Sequence, residues 1–290
     1  MLKDTRPFRS LLYIPGSKTR ALEKAQTLAT DGIIFDLEDA VAPDAKADAR
    51  QYVADALGTL DFGSRALMVR INGFDTKWAL DDLAGIAATG PEAILLPKVN
   101  SAADIEKLAG LLDAHANCDH TKIWAMMETP IGCLNAAEIA AAHPRLTGFV
   151  LGSNDLVKDL AAHHTPDRGP LITAMGLTVL AAKAHGLVVI DGVYNAFKDE
   201  DGLRAQCAQG RTLGFDGKSL IHPAQLGPTN EVFAPSDDEI ELARRQIAAF
   251  EEAEAAGKGI AVVDGQIVEN LHVVTAKATI AKADAIAAAA

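Results

Sequence analysis

Glu128 closes the apolar run Ile123-Trp124-Ala125-Met126-Met127, and Asp155 follows the next one, Phe149-Val150-Leu151, by way of Asn154. If these runs are neighbouring strands, the two acids lie side by side. Two carboxylates completed by water and substrate oxygens suit Mg²⁺, which keeps part of its hydration shell, with Mn²⁺ as a substitute. The structural alternative makes Glu128 a cap for a helix beginning near Pro130 and Asp155 a turn residue; two acids on adjacent strands favour the metal. Asp36, Glu38 and Asp39 bring further carboxylates to the same rim. Some of them are expected to hydrogen-bond the metal's waters, although Asp39 could equally cap the following helix. Arg70 is either a salt-bridge partner among these acids or, through its planar donor fork, a clamp for a substrate carboxylate.

Other polar positions carry weaker signals. Pro15-Gly16-Ser17-Lys18-Thr19-Arg20, with Lys24 one helical turn on, suits phosphate groups at a helix start, though a solvated basic turn is the commoner reason for such a segment. It lacks Walker A spacing. His222-Pro223 marks a site or a stiff turn, His163-His164 reads as surface, and Met126 and Met127 read as core. Lys98 and Asp191 also end apolar runs and have no assigned role beyond supporting the rim. No Ser-His-Asp order emerges.

The elements that must position these groups follow from one repeated pattern. Ile33-Ile34-Phe35 leads to Asp36, Leu67-Met68-Val69 to Arg70, Ile94-Leu95-Leu96 to Lys98, and Val188-Val189-Ile190 to Asp191. Short continuous apolar runs separated by helical stretches predict parallel strands buried on both faces. With Ser10–Ile14 and Gly217–Ile221 the count reaches eight. The intervening helices are expected over 20–30, 45–57, 102–116, 135–142, 171–185 and 203–214. This is the pattern of a (β/α)₈ TIM barrel, whose active site gathers at the C-terminal strand ends. An open doubly wound sheet is the alternative, and no GxGxxG follows the first strand. We assign residues 1–233 to the barrel and 234–290 to a C-terminal helix–hairpin–helix lid or oligomerisation arm. Its first helix starts with a Ser236/Glu239 capping box and stops near Gly257. Asp264-Gly265 turns the hairpin, and an Ala-rich helix covers about 273–287.

A net charge of −12 over 290 residues opposes nucleic-acid or anionic-membrane binding. No apolar stretch is long enough to span a bilayer, and the first ten residues lack a signal-peptide core. Cys118, Cys133 and Cys207 have neither disulfide nor zinc spacing. The expectation is a cytoplasmic enzyme with reduced thiols.

The segments RSLLYIPGS, IFDLEDAVAPDAK, VRINGFDT, LLPKV, METPIG, LGSNDL, IDGVY, GFDGKSLIHPAQ and NEVFAPS, in that order, resemble the citrate lyase β-subunit-like family of CoA-ester lyases, which includes malyl-CoA and citramalyl-CoA lyases. The resemblance covers almost the whole chain. It implies Mg²⁺-dependent retro-Claisen cleavage of a 3-hydroxyacyl-CoA into acetyl-CoA or propionyl-CoA plus glyoxylate or pyruvate, in a homotrimer or hexamer. It implies metal ligation by Glu128 and Asp155, carboxylate binding by Arg70, and CoA contacts at Tyr13, Lys18, Lys24, Asn154, Ile221 and His222, with Glu38 and Asp39 in the acidic rim. Where many relatives end the hairpin in Val-Asp, this chain has Val268-Glu269, which makes Glu269 the expected proton-transfer group with an altered reach. A malyl-CoA thioesterase, a citryl lyase subunit, an aldolase acting on a free hydroxy acid and a non-catalytic CoA- or keto-acid-binding relative are the alternatives.

Overall fold

Eight short strands pair in chain order and the last returns to the first, so the sheet closes. They are β1 Ser10–Pro15, β2 Gly32–Asp36, β3 Ala66–Arg70, β4 Ala93–Leu96, β5 Lys122–Met127, β6 Leu146–Leu151, β7 Val188–Asp191 and β8 Gly217–Leu220. All eight pairings are parallel, in a computed structural model that describes residues 6–289. The helices between and after them are α1 Thr19–Ala25, α2 Lys46–Thr59, α3 Ala79–Ala87, α4 Ala102–Asp113, α5 Pro130–Leu134, α6 Ala136–Ala141, α7 Ser153–Asp159, α8 Ile172–Ala184, α9 Glu200–Leu213 and α10 Leu226–Phe233. This is the expected (β/α)₈ barrel.

The continuous apolar runs are explained by two burial shells. Leu11, Ile34, Met68, Leu95, Trp124, Val150 and Ile190 fill the barrel interior. Their strand neighbours Leu12, Ile33, Phe35, Val69, Ile94, Phe149 and Val189 pack outward with the helices. Gly148 completes the interior at the register partner of Trp124, where a Cβ would run into the indole ring.

Side chains alternate along a strand, so the residue two places beyond an interior position faces inward one layer higher. From Leu11, Ile34, Met68, Met126, Val150 and Gly217 that step reaches Tyr13, Asp36, Arg70, Glu128, Gly152 and Ser219. All six line one cavity. The packing of the barrel interior therefore sets the positions of the polar layer above it.

Some boundaries differ from expectation. The first helix stops at Ala25 rather than Thr30: the N–H groups of Gln26, Thr27 and Leu28 bond to carbonyls three residues back, those of Glu23, Lys24 and Ala25, and the four-residue ladder ends. The fourth helix ends at Asp113, and the short helices α3, α7 and α10 were not anticipated.

The chain divides into two compact units, Phe8–Phe233 and the segment from Ala234 onward. The second holds α11 Asp237–Ala255, the hairpin β9 Ala261–Val263 and β10 Gln266–Val268, and α12 Asn270–Ala289. Ser236 and Glu239 form the capping box: the Glu239 N–H donates to Ser236 Oγ and the Ser236 N–H to Glu239 Oε2. Asp264 and Gly265 turn the hairpin with φ of 49° and 77°, as a type I′ turn requires. Phe250, Ala261, Val268 and Val273 make this unit's core. The last helix begins at Asn270, three residues earlier than expected, with the Glu269 carbonyl accepting from the His272 N–H.

The Gly148→Ala substitution should lower unfolding free energy by about 1–3 kcal/mol through overpacking against Trp124. Urea denaturation of the two proteins, comparing midpoints at equal slope, measures it.

Candidate active site

Asp36 and Arg70 are register partners across β2 and β3. The Arg70 Nε and Nη2 groups donate to the two Asp36 oxygens at 2.7 Å each, and both side chains are buried. Asp36 also accepts from the N–H groups of Glu38 (2.9 Å) and Ala40 (3.0 Å), shaping the turn that follows β2. Lys46, buried in α2, fastens that turn by donating to the carbonyls of Leu37 and Glu38. Glu38 Oε2 consequently lies 2.9 Å from Arg70 Nη1, in ion-pair range but without hydrogen-bond alignment, and Asp39 lies at 3.5 Å. The Tyr13 ring covers the guanidinium at 4.8 Å, and its hydroxyl donates to Met126 Sδ.

Burial alone would push the Asp36 carboxyl up, yet the Arg70 charge and hydrogen bonds prevail and hold it below its ordinary value. Glu38 goes the other way. Burial, with Glu128 and Asp39 nearby, outweighs Arg70 and Lys98 and raises it to about 8. Burial also holds the Tyr13 phenol well above its usual range, so it remains protonated.

Glu128 is almost fully buried, and its Oε1 accepts from the Lys98 N–H at 2.7 Å. It does not cap the helix after it; Thr129 does, through its hydroxyl to the Gly132 N–H. Gly152 makes room, since a Cβ there would collide with the Glu128 side chain. Burial raises the Glu128 carboxyl despite Lys98 and Arg70. Asp155 Oδ1 receives Lys158 Nζ at 3.0 Å and Lys98 Nζ at 3.4 Å; these outweigh partial burial and hold its carboxyl below normal. Tyr13, Asp36, Asp39, Arg70, Glu128, Asn154, Asp155 and Ile221 share a cavity of about 280 Å³ at the C-terminal end of the barrel.

The profile of the HpcH/HpaI aldolase/citrate lyase family matches residues 9–223, most of the chain. The chain belongs to that family. It is 62% identical over 288 residues to a (3S)-malyl-CoA thioesterase of Cereibacter sphaeroides, covering 99% of both chains. It is 36% identical to an L-malyl-CoA/β-methylmalyl-CoA lyase of the same organism, over 98% of this chain and 96% of that one. Among solved structures, protein CitE from Mycobacterium tuberculosis in complex with magnesium, acetoacetate and coenzyme A is similar at a TM-score of 0.82, with 30% identity over 97% of this chain and all of that one.

Within this HpcH/HpaI-type barrel the expected site residues separate. Glu38 reaches the cavity group through Arg70 and Lys98. Asn154 exchanges hydrogen bonds with Asn195 (2.9 and 3.3 Å). Lys18 and Lys24 are exposed at α1 and are not part of the cavity wall. Nor is His222, whose Nδ1 accepts from the Ala224 N–H while its ring stacks on Phe197 at 4.5 Å. Glu269, in the second unit, has an exposed side chain and donates its N–H to His272 Nδ1. The Arg70 fork is taken by Asp36 and its face by the Tyr13 ring, which leaves Nη1, beside Glu38 and Asp39, rather than an open two-pronged clamp, for a ligand. Asp191 is held by two buried cations, Arg168 at 2.7 Å and Lys218 at 2.9 Å. Neither cation stood out in the sequence, because each sits in a run without an obvious partner. Ser219 was missed for the same reason, although the two-residue step from Gly217 would have found it.

Among the described residues no group of three or more His, Cys, Asp or Glu side chains could hold a metal ion by itself. Glu128 and Asp155 nevertheless fit a cation that retains water. Asp36, Glu38, Asp39, Glu128 and Asp155 face Arg70, Lys98 and Lys158, an excess of two negative charges when all are ionised. Glu38 Oε2 is buried without a hydrogen bond, and Glu128 is raised by burial. A divalent cation would relieve both.

A raised carboxyl makes the folded state hold a proton that the unfolded chain releases above its ordinary value, so stability falls as pH rises between the two. For Glu38 that window runs from its ordinary 4.5 to about 8. In chelator-treated protein, Glu38→Gln is expected to flatten the decline in urea stability between pH 5 and 8. An unchanged slope would show that Glu38 is not the group responsible.

Proposed function

We propose that this protein is a divalent-metal-dependent enzyme of CoA esters of short hydroxy acids, and that it hydrolyses the thioester of a (3S)-malyl-CoA-like substrate. The reading is carried by the cavity that gathers Glu128, Asp155 and Arg70, in a chain 62% identical over its length to a (3S)-malyl-CoA thioesterase. About 280 Å³ suits a four-carbon acid but not a whole CoA, so the nucleotide end extends out of the cavity. Glu128 and Asp155 are the residues that would hold Mg²⁺ or Mn²⁺. When bound, that ion supplies Lewis acidity at a substrate oxygen and stabilises negative charge developing there.

The chain's own groups do the rest. Arg70, locked by Asp36, presents to the substrate carboxylate its Nη1, which Glu38 approaches without hydrogen-bonding, from a fixed position that lowers the entropy lost on reaching the reactive geometry. The neutral Tyr13 phenol keeps that face of the cavity apolar. Gly152 leaves space where a side chain would displace Glu128. Water adds to the thioester carbonyl carbon, the carbon–sulfur bond breaks, and CoA leaves as thiol while the acid is released as carboxylate with one proton. Proton transfer by Glu269, the role expected from its place after the hairpin, is part of this proposal.

A second reading, cleavage of the carbon–carbon bond to acetyl-CoA and glyoxylate, is supported by the 36% identity to a malyl-CoA lyase over nearly the whole chain. Incubation with malyl-CoA and Mg²⁺ separates the two: malate plus free CoA for hydrolysis, glyoxylate plus acetyl-CoA for cleavage. Glu128→Gln should lower the metal-dependent rate by about 10²-fold or more in either case. Full activity in that variant would remove Glu128 from the metal's ligands. Glu269→Gln, assayed in parallel across pH, should lose turnover with substrate KM little changed if the carboxylate moves a proton; an unaltered rate removes it from the reaction.

A further inference from the structure

Lys98 follows β4 with a φ of 53°, in the left-handed region that residues with a Cβ seldom adopt. Such a conformation persists only where the surroundings hold it. Here two contacts do so. The backbone N–H is aimed at Glu128 Oε1, 2.7 Å away, which an extended residue at this point in the chain would direct elsewhere. The side chain returns over the mouth of the barrel, with Nζ 3.4 Å from Asp155 Oδ1 and 3.7 Å from Glu38 Oε1. Lys158 also meets Asp155, but its side chain is 67% exposed against 35% for Lys98, so solvent screens it more. Of the two lysines that meet Asp155, Lys98 is thus the sheltered one.

We propose that Lys98 is the internal counter-ion of this site: its backbone N–H positions Glu128, while its ammonium balances Asp155 and Glu38 in the metal-free protein and gives way when a divalent cation binds. The inference rests on the reading of Glu128 and Asp155 as cation ligands. Its physical basis is competition for the same oxygens. One positive charge within 4 Å of two carboxylates lowers their mutual repulsion, and an incoming ion with two charges must displace or repel it. Lys98 therefore holds the empty rim in its folded shape and at the same time weakens cation binding. The left-handed backbone and the ammonium serve separate ends, so they can be tested separately.

Lys98→Met removes the charge and keeps both the stem and the backbone demand. Lys98→Gly removes the charge, keeps the N–H and relieves the backbone demand, because glycine adopts positive φ freely. Chelator-treated proteins are titrated with Mn²⁺, followed by electron paramagnetic resonance of the free ion, and melted with and without Mn²⁺. Both variants are expected to bind Mn²⁺ roughly tenfold more tightly than wild type. Without metal, both should melt below wild type, the glycine variant less so than the methionine variant, and saturating Mn²⁺ should close the gap. A folded variant with equal or weaker Mn²⁺ affinity overturns the counter-ion role. Wild-type protein that binds no Mn²⁺, or Glu128→Gln that binds it as well as wild type, overturns the ligand assignment instead.

Discussion

The buried ion pair between Asp36 and Arg70 is the constraint on which the mouth of the barrel depends. Its two 2.7 Å hydrogen bonds tie neighbouring strands at one rung. Removing two charges from water costs nearly as much as their attraction returns, so the pair is not chiefly a source of stability. Its consequence is position. Asp36 has oxygens left for the N–H groups of Glu38 and Ala40, Arg70 has Nη1 left for Glu38, and Tyr13 closes the guanidinium face. Deleting either partner would leave the other buried and uncompensated, at a cost of about 3–5 kcal/mol. Asp82 performs a related service behind the site, receiving Arg50 and the Asn72 N–H, and Asn72 in turn donates to the Leu37 carbonyl. The loop bearing Glu38 is therefore fixed from both sides.

A rim this acidic would repel itself apart if it were exposed only to its own charges. The barrel resolves that by distributing cations and glycines around the circle. Arg70 and Lys98 come from consecutive strand ends, Gly152 opens space beside Glu128, and Gly192 gives way to Ser153, whose hydroxyl a Cβ at 192 would approach to 2.7 Å. Burial above all, with the neighbouring carboxylates, leaves Glu38 and Glu128 with raised carboxyls, and the remaining excess of negative charge would favour a cation there. Electrostatic strain and backbone strain meet at Lys98, where a left-handed residue supplies both an amide and an ammonium to these acids.

Much of this was legible because a parallel barrel writes itself twice in the chain. Burial on both faces gives continuous apolar runs, and the C-terminal placement of function puts polar residues at their ends; the strands and the group Glu128, Asp155, Arg70 and Asp36 follow from those two facts. The Ser236–Glu239 box and the Asp264-Gly265 turn were readable because their chemistry is local. What stayed hidden depends on distant partners. The spacing of Arg70 could not reveal that its fork faces Asp36 and not a ligand. Lys98 ended a run without a role, since nothing local betrays a positive φ in lysine. Arg168 and Lys218 meet at Asp191, 23 and 27 residues away in sequence. His222 caps the turn it begins, and its ring stacks on Phe197 from the loop after β7.

The group that recognises the substrate and the group that chooses its fate need not be the same. In the proposed reading Glu128 and Asp155 would hold the cation and Arg70 the carboxylate, so the hydroxy-acid end of the molecule would be engaged whether the bond that breaks is carbon–sulfur or carbon–carbon. Both reactions pass through negative charge on an oxygen, which the same electrostatics stabilise. They differ at the thioester carbon, where hydrolysis needs water and carbon–carbon cleavage needs its exclusion. That difference belongs to the walls around the cavity rather than to its charged floor. Ser153 and Val193 border both this cavity and a neighbouring one of about 440 Å³, and the buried Ser153 hydroxyl has no hydrogen-bond partner. A change at such a wall would leave every charged residue of the cavity in place while altering whether water reaches the thioester.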